Sequence, residues 1–107
     1  MKWKKGRQKT KYFVKTFLSF WFFDLHLIKV PENGWVPWHT DPVQKGKKHL
    51  RINLHFGKYK GGNFLCEKKI FSLFRNKFVC FRPDITPHKL SKVKSGTQYI
   101  LSLGFLI

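Results

Sequence analysis

The chain has 107 residues, 42% hydrophobic and 18% aromatic, with 22 Lys+Arg against five Asp+Glu and a formal net charge of +17. That length suits one domain, and twelve Phe with four Trp supply the apolar area for a core and exclude a disordered chain. The charge attracts nucleic acid, anionic lipid or acidic small molecules through its long-range field. A compositional bias toward lysine on a solvated surface explains it at least as well, because basic residues interrupt every strand-like run instead of forming one stripe.

Residues 1–11 read as a basic arm, loose or at a sheet edge, and residues 12–107 as a single domain. Residues 12–30 follow a basic stretch and are apolar, which mimics a secretory leader. Lys15, Asp24, His26 and Lys29 interrupt the run, however, and no small-residue cleavage site follows. The run also falls short of the roughly 20 predominantly apolar residues that a spanning helix needs. It therefore reads as core strand, with no membrane span, and the protein as cytoplasmic. Helical periodicity is confined to a stretch within residues 8–20, so at most a short N-terminal helix is expected. Asp24 and His26 share one face of an early strand, looking into a polar cavity or out to solvent.

Pro31-Glu32-Asn33-Gly34 is a turn signal. Pro37 and Pro42 then bracket an extended piece in which His39 and Asp41 project to the same side. Residues 44–49 form a polar loop, and His49 beside it reads as surface. Residues 50–56 alternate, with Leu50, Ile52, Leu54 and Phe56 on one side and Arg51, Asn53 and His55 on the other. Residues 57–62 read as a turn permitted by Gly61-Gly62, residues 63–67 and 69–74 as strands, and Arg75-Asn76-Lys77 as a turn. Strands follow at 78–82, 88–93 and 98–107, with a turn at Lys94-Ser95-Gly96. Many short strands separated by Gly, Pro and Asn predict an all-β sandwich or barrel. Cys66 and Cys80 form no CxxC pair and read as buried free thiols of a reducing compartment.

His39-Thr40-Asp41 and the distant His88 are the chemistry-bearing set. Two imidazoles and one carboxylate suit Fe(II) and leave open coordination positions for an oxidant and a substrate. No GxSxG elbow, Cys/His zinc pairing or GxxxxGK[ST] loop competes with it.

In the elements WHTD, LRINLHF, GGNFLCE, KFVCFRPD and PHKLSKVKSGTQYILSLGF, the chain resembles the iron(II)- and 2-oxoglutarate-dependent dioxygenase superfamily, the prolyl-hydroxylase-like oxygenases. The resemblance covers roughly residues 20–107. It implies a double-stranded β-helix, or jelly roll, with His39, Asp41 and His88 as iron ligands. It also implies hydroxylation of an unidentified substrate with O2 and 2-oxoglutarate as co-substrates. A cupin-type jelly roll is the nearest structural competitor, but cupin metal sites generally use more histidines and a Glu, a pattern missing here. One departure stands out. The family commonly places Arg or Lys ten residues after the distal His to pair with the far carboxylate of 2-oxoglutarate; here that residue is Gln98, which carries no charge. Three explanations compete: Arg51 supplies the cation, which is favoured, with Asn53 and Gln98 assisting; a different co-substrate is used; or the chain keeps its ligands and has lost turnover.

Several residues keep two readings. His55 approaches the metal or, three to one in favour, is a hydrogen-bonded interior histidine. His26 touches substrate at the pocket mouth or faces solvent. Trp35 and Trp38 stack on a planar substrate such as a base or, by default, pack over the barrel mouth, with Trp38 the substrate contact beside His26. Tyr99 reads as core or surface, and Arg82 with Asp84 as a structural ion pair. The alternative function is a non-enzymatic basic jelly roll that binds nucleic acid. Families of this type carry supporting helices before the core, and these are nearly absent from the sequence, so either the core is truncated or a homodimer covers the exposed sheet.

Overall fold

The computed structural model describes residues 3–5, 11–41, 46–74 and 77–106. In chain order the strands are β1 (Lys4–Lys5), β2 (Phe13–Phe20), β3 (Phe23–Val30), β4 (Val36–His39), β5 (His49–Phe56) and β6 (Tyr59–Gly61). They continue with β7 (Phe64–Cys66), β8 (Lys69–Leu73), β9 (Phe78–Phe81), β10 (His88–Leu90), β11 (Val93–Gly96) and β12 (Gln98–Leu106). The expected all-β class is what the chain forms. No helix occurs among the described residues, and none is long and apolar enough to cross a membrane.

A seven-stranded sheet runs in the order β1-β2-β3-β12-β5-β9-β8, a three-stranded sheet in the order β4-β10-β7, and β11 pairs with β6. The long central strand β12 sets the register. Ser102 lies opposite both His26 and Asn53, and Gly104 opposite both Asp24 and Arg51. With a side-chain period of two, Asp24, His26, Arg51, Asn53 and Ser102 therefore share one face. That face looks toward the three-stranded sheet, and the core fills the space between, around Tyr12, Val30, Phe64, Val79, Phe81, Leu90, Val93 and Ile100.

Several local expectations are corrected. The stretch with helical periodicity forms β2 from Phe13 onward, because β2 is captured between β1 and β3; residues 8–10 lie outside the described residues. The single core strand expected over 12–30 is a hairpin that turns at Trp21-Phe22. Lys94-Ser95-Gly96 belongs to β11 rather than to a turn, and the stretch expected to turn over 57–62 contains its partner β6. The strand expected over 88–93 breaks after Leu90, where the chain leaves one sheet to join the other ribbon. The Pro31–Gly34 turn is present, with Gly34 N donating to the Pro31 carbonyl at 2.9 Å. Of the basic arm, Lys4–Lys5 forms the sheet edge, while residues 1–2 and 6–10 are outside the described residues. The same holds for residues 42–45 and 75–76 of the two expected polar connections.

Both cysteines are free thiols. Cys80 is buried and Cys66 partly so, and burial pushes both pKa values up, which disfavours the reactive thiolate.

Candidate metal centre

β4 is short, carries Pro37 and lies at the edge of its sheet, where a missing N–H is tolerated. Its pairing with β10 matches His39 to His88 and Val36 to Leu90, so one extra residue is accommodated on β4. This bulge breaks the alternation. Val36 and His39, three residues apart, both line the cavity between the sheets, and Trp38 is turned outward. Asp41 follows the strand and is held by its own backbone, whose N–H donates to the Pro83 carbonyl at 2.7 Å.

His39, Asp41 and His88 come together, each offering one ligand atom, all within 4.8 Å of one another. The two imidazole centroids are 4.3 Å apart. His39 Nδ1 donates to the Pro37 carbonyl at 2.7 Å, and His88 Nδ1 donates to the Thr86 carbonyl at 2.9 Å. A carbonyl only accepts, so both rings carry their proton on Nδ1, and in the neutral form both Nε2 atoms present a lone pair. Those Nε2 atoms face the Asp41 carboxylate, at 3.7 Å for His39 and 3.5 Å for His88. Two nitrogen lone pairs and a carboxylate at these separations, with the rings oriented by backbone carbonyls, fit a divalent first-row ion such as Fe(II). Phe81 packs edge-on to His88 at 4.9 Å, with Phe64 beside both rings, and His88 is only 6% exposed.

The three residues stand on the wall of a cavity of about 450 Å³ that reaches the inner face of the seven-stranded sheet. The polar part of that face is a network around Arg51. Its Nη2 donates to both oxygens of Asp24, at 2.8 and 3.0 Å, and to His49 Nε2 at 3.2 Å, while its Nη1 donates to Ser102 Oγ at 2.6 Å. Ser102 Oγ in turn donates to Asn53 Oδ1 at 2.6 Å. Burial raises the Asp24 pKa, but the His26 hydrogen bond and the Arg51 charge outweigh it and hold the carboxyl down at about 2. Gly104 makes room for this pair: a Cβ there would strike Arg51 and come within 2.9 Å of Asp24 Oδ1.

Arg51, Asn53 and His26 line the cavity. Two expected contacts are corrected. Gln98 is wholly buried and does not line the cavity: its Oε1 accepts from His55 Nδ1, and its Nε2 donates to the Gly62 carbonyl at 2.8 Å. Its amide is consumed inside the core. Trp38 faces the opposite side of β4, with Lys89 Nζ 5.3 Å from its ring centroid. His55 is the interior histidine favoured from sequence. Burial pushes its pKa down to about 4, with Lys77 lowering it further and the Gln98 hydrogen bond opposing. Tyr99 is half-buried, stacked with Phe56. Arg82 and Asp84 form the expected ion pair at 2.6 Å.

His49 is a further correction. It is not a surface residue but lines the cavity, and burial followed by the Arg51 charge lowers its pKa. Since Arg51 can only donate to Nε2, the proton sits on His49 Nδ1, which is buried and has no partner among the described residues. The signal was present in the alternation of β5, where residue 49 shares the face of 51, 53 and 55. Ser102 and Gly104 had no such local signal.

No family model matches the chain, and no curated protein matches it in sequence. Among solved structures it is similar to an RmlC-like cupin protein from Desulfovibrio desulfuricans, at TM-score 0.53 and 14% identity, covering 86% of this chain and 81% of that one. At that identity the likeness shows the fold alone: the chain is a double-stranded β-helix.

Proposed function

We propose that this protein is a small Fe(II)-dependent oxygenase, with 2-oxoglutarate as co-substrate, that hydroxylates an organic substrate. The observation that carries the reading is the convergence of two Nε2 lone pairs and the Asp41 carboxylate on the wall of a cavity. The fold, common to many metal-dependent oxygenases and other proteins, is compatible with it and does not decide it. When bound, Fe(II) with O2 would supply the oxidising power to hydroxylate a C–H bond while 2-oxoglutarate is converted to succinate and carbon dioxide.

His39, Asp41 and His88 would hold the iron. The far carboxylate of 2-oxoglutarate would bind at the Arg51 end of the cavity, beside the Nδ1–H of His49. Arg51 takes the place on β5 of the basic residue that Gln98 does not supply on β12. Asp24 already compensates part of the Arg51 charge, so an incoming carboxylate competes with Asp24 for the same guanidinium. Asn53 and Ser102 hold Arg51 in position through their hydrogen-bonded chain.

The test is an anaerobic titration of the Fe(II)-loaded protein with 2-oxoglutarate, followed by the weak visible charge-transfer band of such complexes. The band should appear in the wild type. Arg51→Lys should bind iron normally and weaken 2-oxoglutarate about tenfold, since the forked pairing is lost. Asp24→Asn should tighten it. An iron-loaded protein that shows no band, and neither consumes 2-oxoglutarate nor releases succinate in air, would remove the co-substrate from the account.

A further inference from the structure

Trp38 follows the ordinary alternation of β4 and points away from its neighbour His39. Beside it lies a groove of about 560 Å³ between β4 and residues 89–92, which shares Val36, Lys89 and Leu90 with the cavity of the metal site. Trp35 and Trp38 are 42% and 49% exposed there. Lys89 and Lys92 line the same groove, and no acidic side chain is among its lining residues. Val36, Pro37, Leu90 and Ser91 complete its lining. We propose that this groove binds single-stranded nucleic acid, with Trp38 and Trp35 as stacking platforms for bases and Lys89 and Lys92 as phosphate contacts.

The chemistry follows from the side-chain types. An indole face stacks on any base at about 1–3 kcal/mol, without reading sequence. A lysine is a point charge on a flexible stem, suited to a phosphate but not to a base edge. Lys89 Nζ lies over the Trp38 ring, which keeps that face covered by a mobile cation until a base displaces it toward the backbone phosphate. A duplex hides its base faces and fits such a groove poorly. The net charge of +17 concentrates polyanions near the whole surface, and the groove converts that field into a site. This proposal does not depend on the iron or on 2-oxoglutarate, because Trp38 lies on the opposite side of β4 from His39 and none of the three metal ligands lines the groove.

The test uses the full chain in a chelator, with a fluorescent single-stranded oligothymidylate as the probe and anisotropy as the readout. Wild type should bind with an affinity that falls as salt rises. Trp38→Ala should weaken binding about tenfold, in line with the loss of one stacked base, and Trp38→Phe should retain most of it. The Lys89→Ala/Lys92→Ala double variant should reduce the slope of log Kd against log salt by about 1.4, the share of two phosphate contacts on a single strand. Lys58→Ala/Lys94→Ala, removing two exposed lysines, one just before β6 and one on β11, serves as the charge control and should leave the slope nearly unchanged. Three results would overturn the proposal: Trp38→Ala binding like wild type, the control pair flattening the slope as much as the groove pair, or a duplex of equal length binding as tightly. Capture by phosphatidylserine vesicles that depends on Trp38, with no oligonucleotide binding, would likewise overturn it.

Discussion

The two faces of the seven-stranded sheet differ in where their polar groups go. On β3, β12 and β5 the inward positions hold Asp24, His26, Ser102, Arg51, Asn53 and His55 beside the apolar Ile28, Val30 and Ile100, while the outward ones include Leu25, Leu27, Leu101, Leu103, Ile52 and Leu54. The inner face is mixed, with a polar network set into the apolar core. Asn53, His55, Gln98 and Ser102 are each at most 6% exposed, whereas Leu54 is 39% and Phe71 46% exposed. An uncompensated buried polar group costs free energy, and the inner face offsets this by hydrogen-bonding most of its groups to one another, with His49 Nδ1 and His55 Nε2 the buried side-chain atoms lacking a partner among the described residues. The outer face has no comparable constraint and forms an apolar surface broader than scattered single residues would give. The contrast shows that alternation alone assigns residues to two sides without saying which side is the interior.

The comparison can be broken first at its centre. Arg51→Ala leaves Asp24 charged and partly buried without its guanidinium, and should cost about 3 kcal/mol, read as a lower urea midpoint. A loss below 1 kcal/mol would mean that the inner network contributes little. The next effect is pH-dependent. The folded pKa of His55 lies near 4, below its ordinary value near 6.5, so the unfolded chain binds the extra proton first as pH falls. Its contribution is complete above pH 6.5 and is lost between 6.5 and 4, amounting to about 3 kcal/mol for a shift of that size. Urea melts at pH 7 and 4.5 should show the loss, and His55→Gln should reduce the slope in that window, leaving the part due to His49, whose pKa is also lowered. Asp24 acts at lower pH, its contribution fading as pH falls from about 4 to about 2.

Gly104→Ala sharpens the contrast more gently. The added methyl meets the Arg51–Asp24 pair and should cost about 1–3 kcal/mol by overpacking, with weakened 2-oxoglutarate binding as a second readout. On the outer face, Leu54→Lys with Leu101→Lys should change stability by less than about 1 kcal/mol. The same pair should reduce the fluorescence of a bound hydrophobic dye and leave metal binding intact. An outer-face pair that unfolded the protein would reverse the assignment of the two sides.

What the sequence revealed follows the range of the forces involved. The convergence of His39, Asp41 and His88 was legible because two imidazoles and a carboxylate form a recognisable set without knowing the packing. The polar side of β5 was legible from its period of two, and Arg82–Asp84 from proximity along the chain. The hairpin turn at Trp21-Phe22 was not, because its residues are strand formers and carry no Gly, Pro or Asn signal. The bulge that brings Val36 to the same side as His39 arises from pairing with β10, a partner some fifty residues away. Gln98 was misplaced for the same reason. Its position on β12 suggested the co-substrate, but Gly62, 36 residues earlier, supplies the carbonyl that holds its amide in the core.

The central claim is that three side chains form one metal centre, and anaerobic Fe(II) titration monitored by thermal unfolding tests it most directly. The account requires binding at one equivalent that raises Tm, with the rise abolished in Asp41→Ala and His88→Ala but retained in Trp38→Ala. If Fe(II) leaves Tm unchanged in the wild type, or if Asp41→Ala responds to the ion as the wild type does, His39, Asp41 and His88 do not hold the iron.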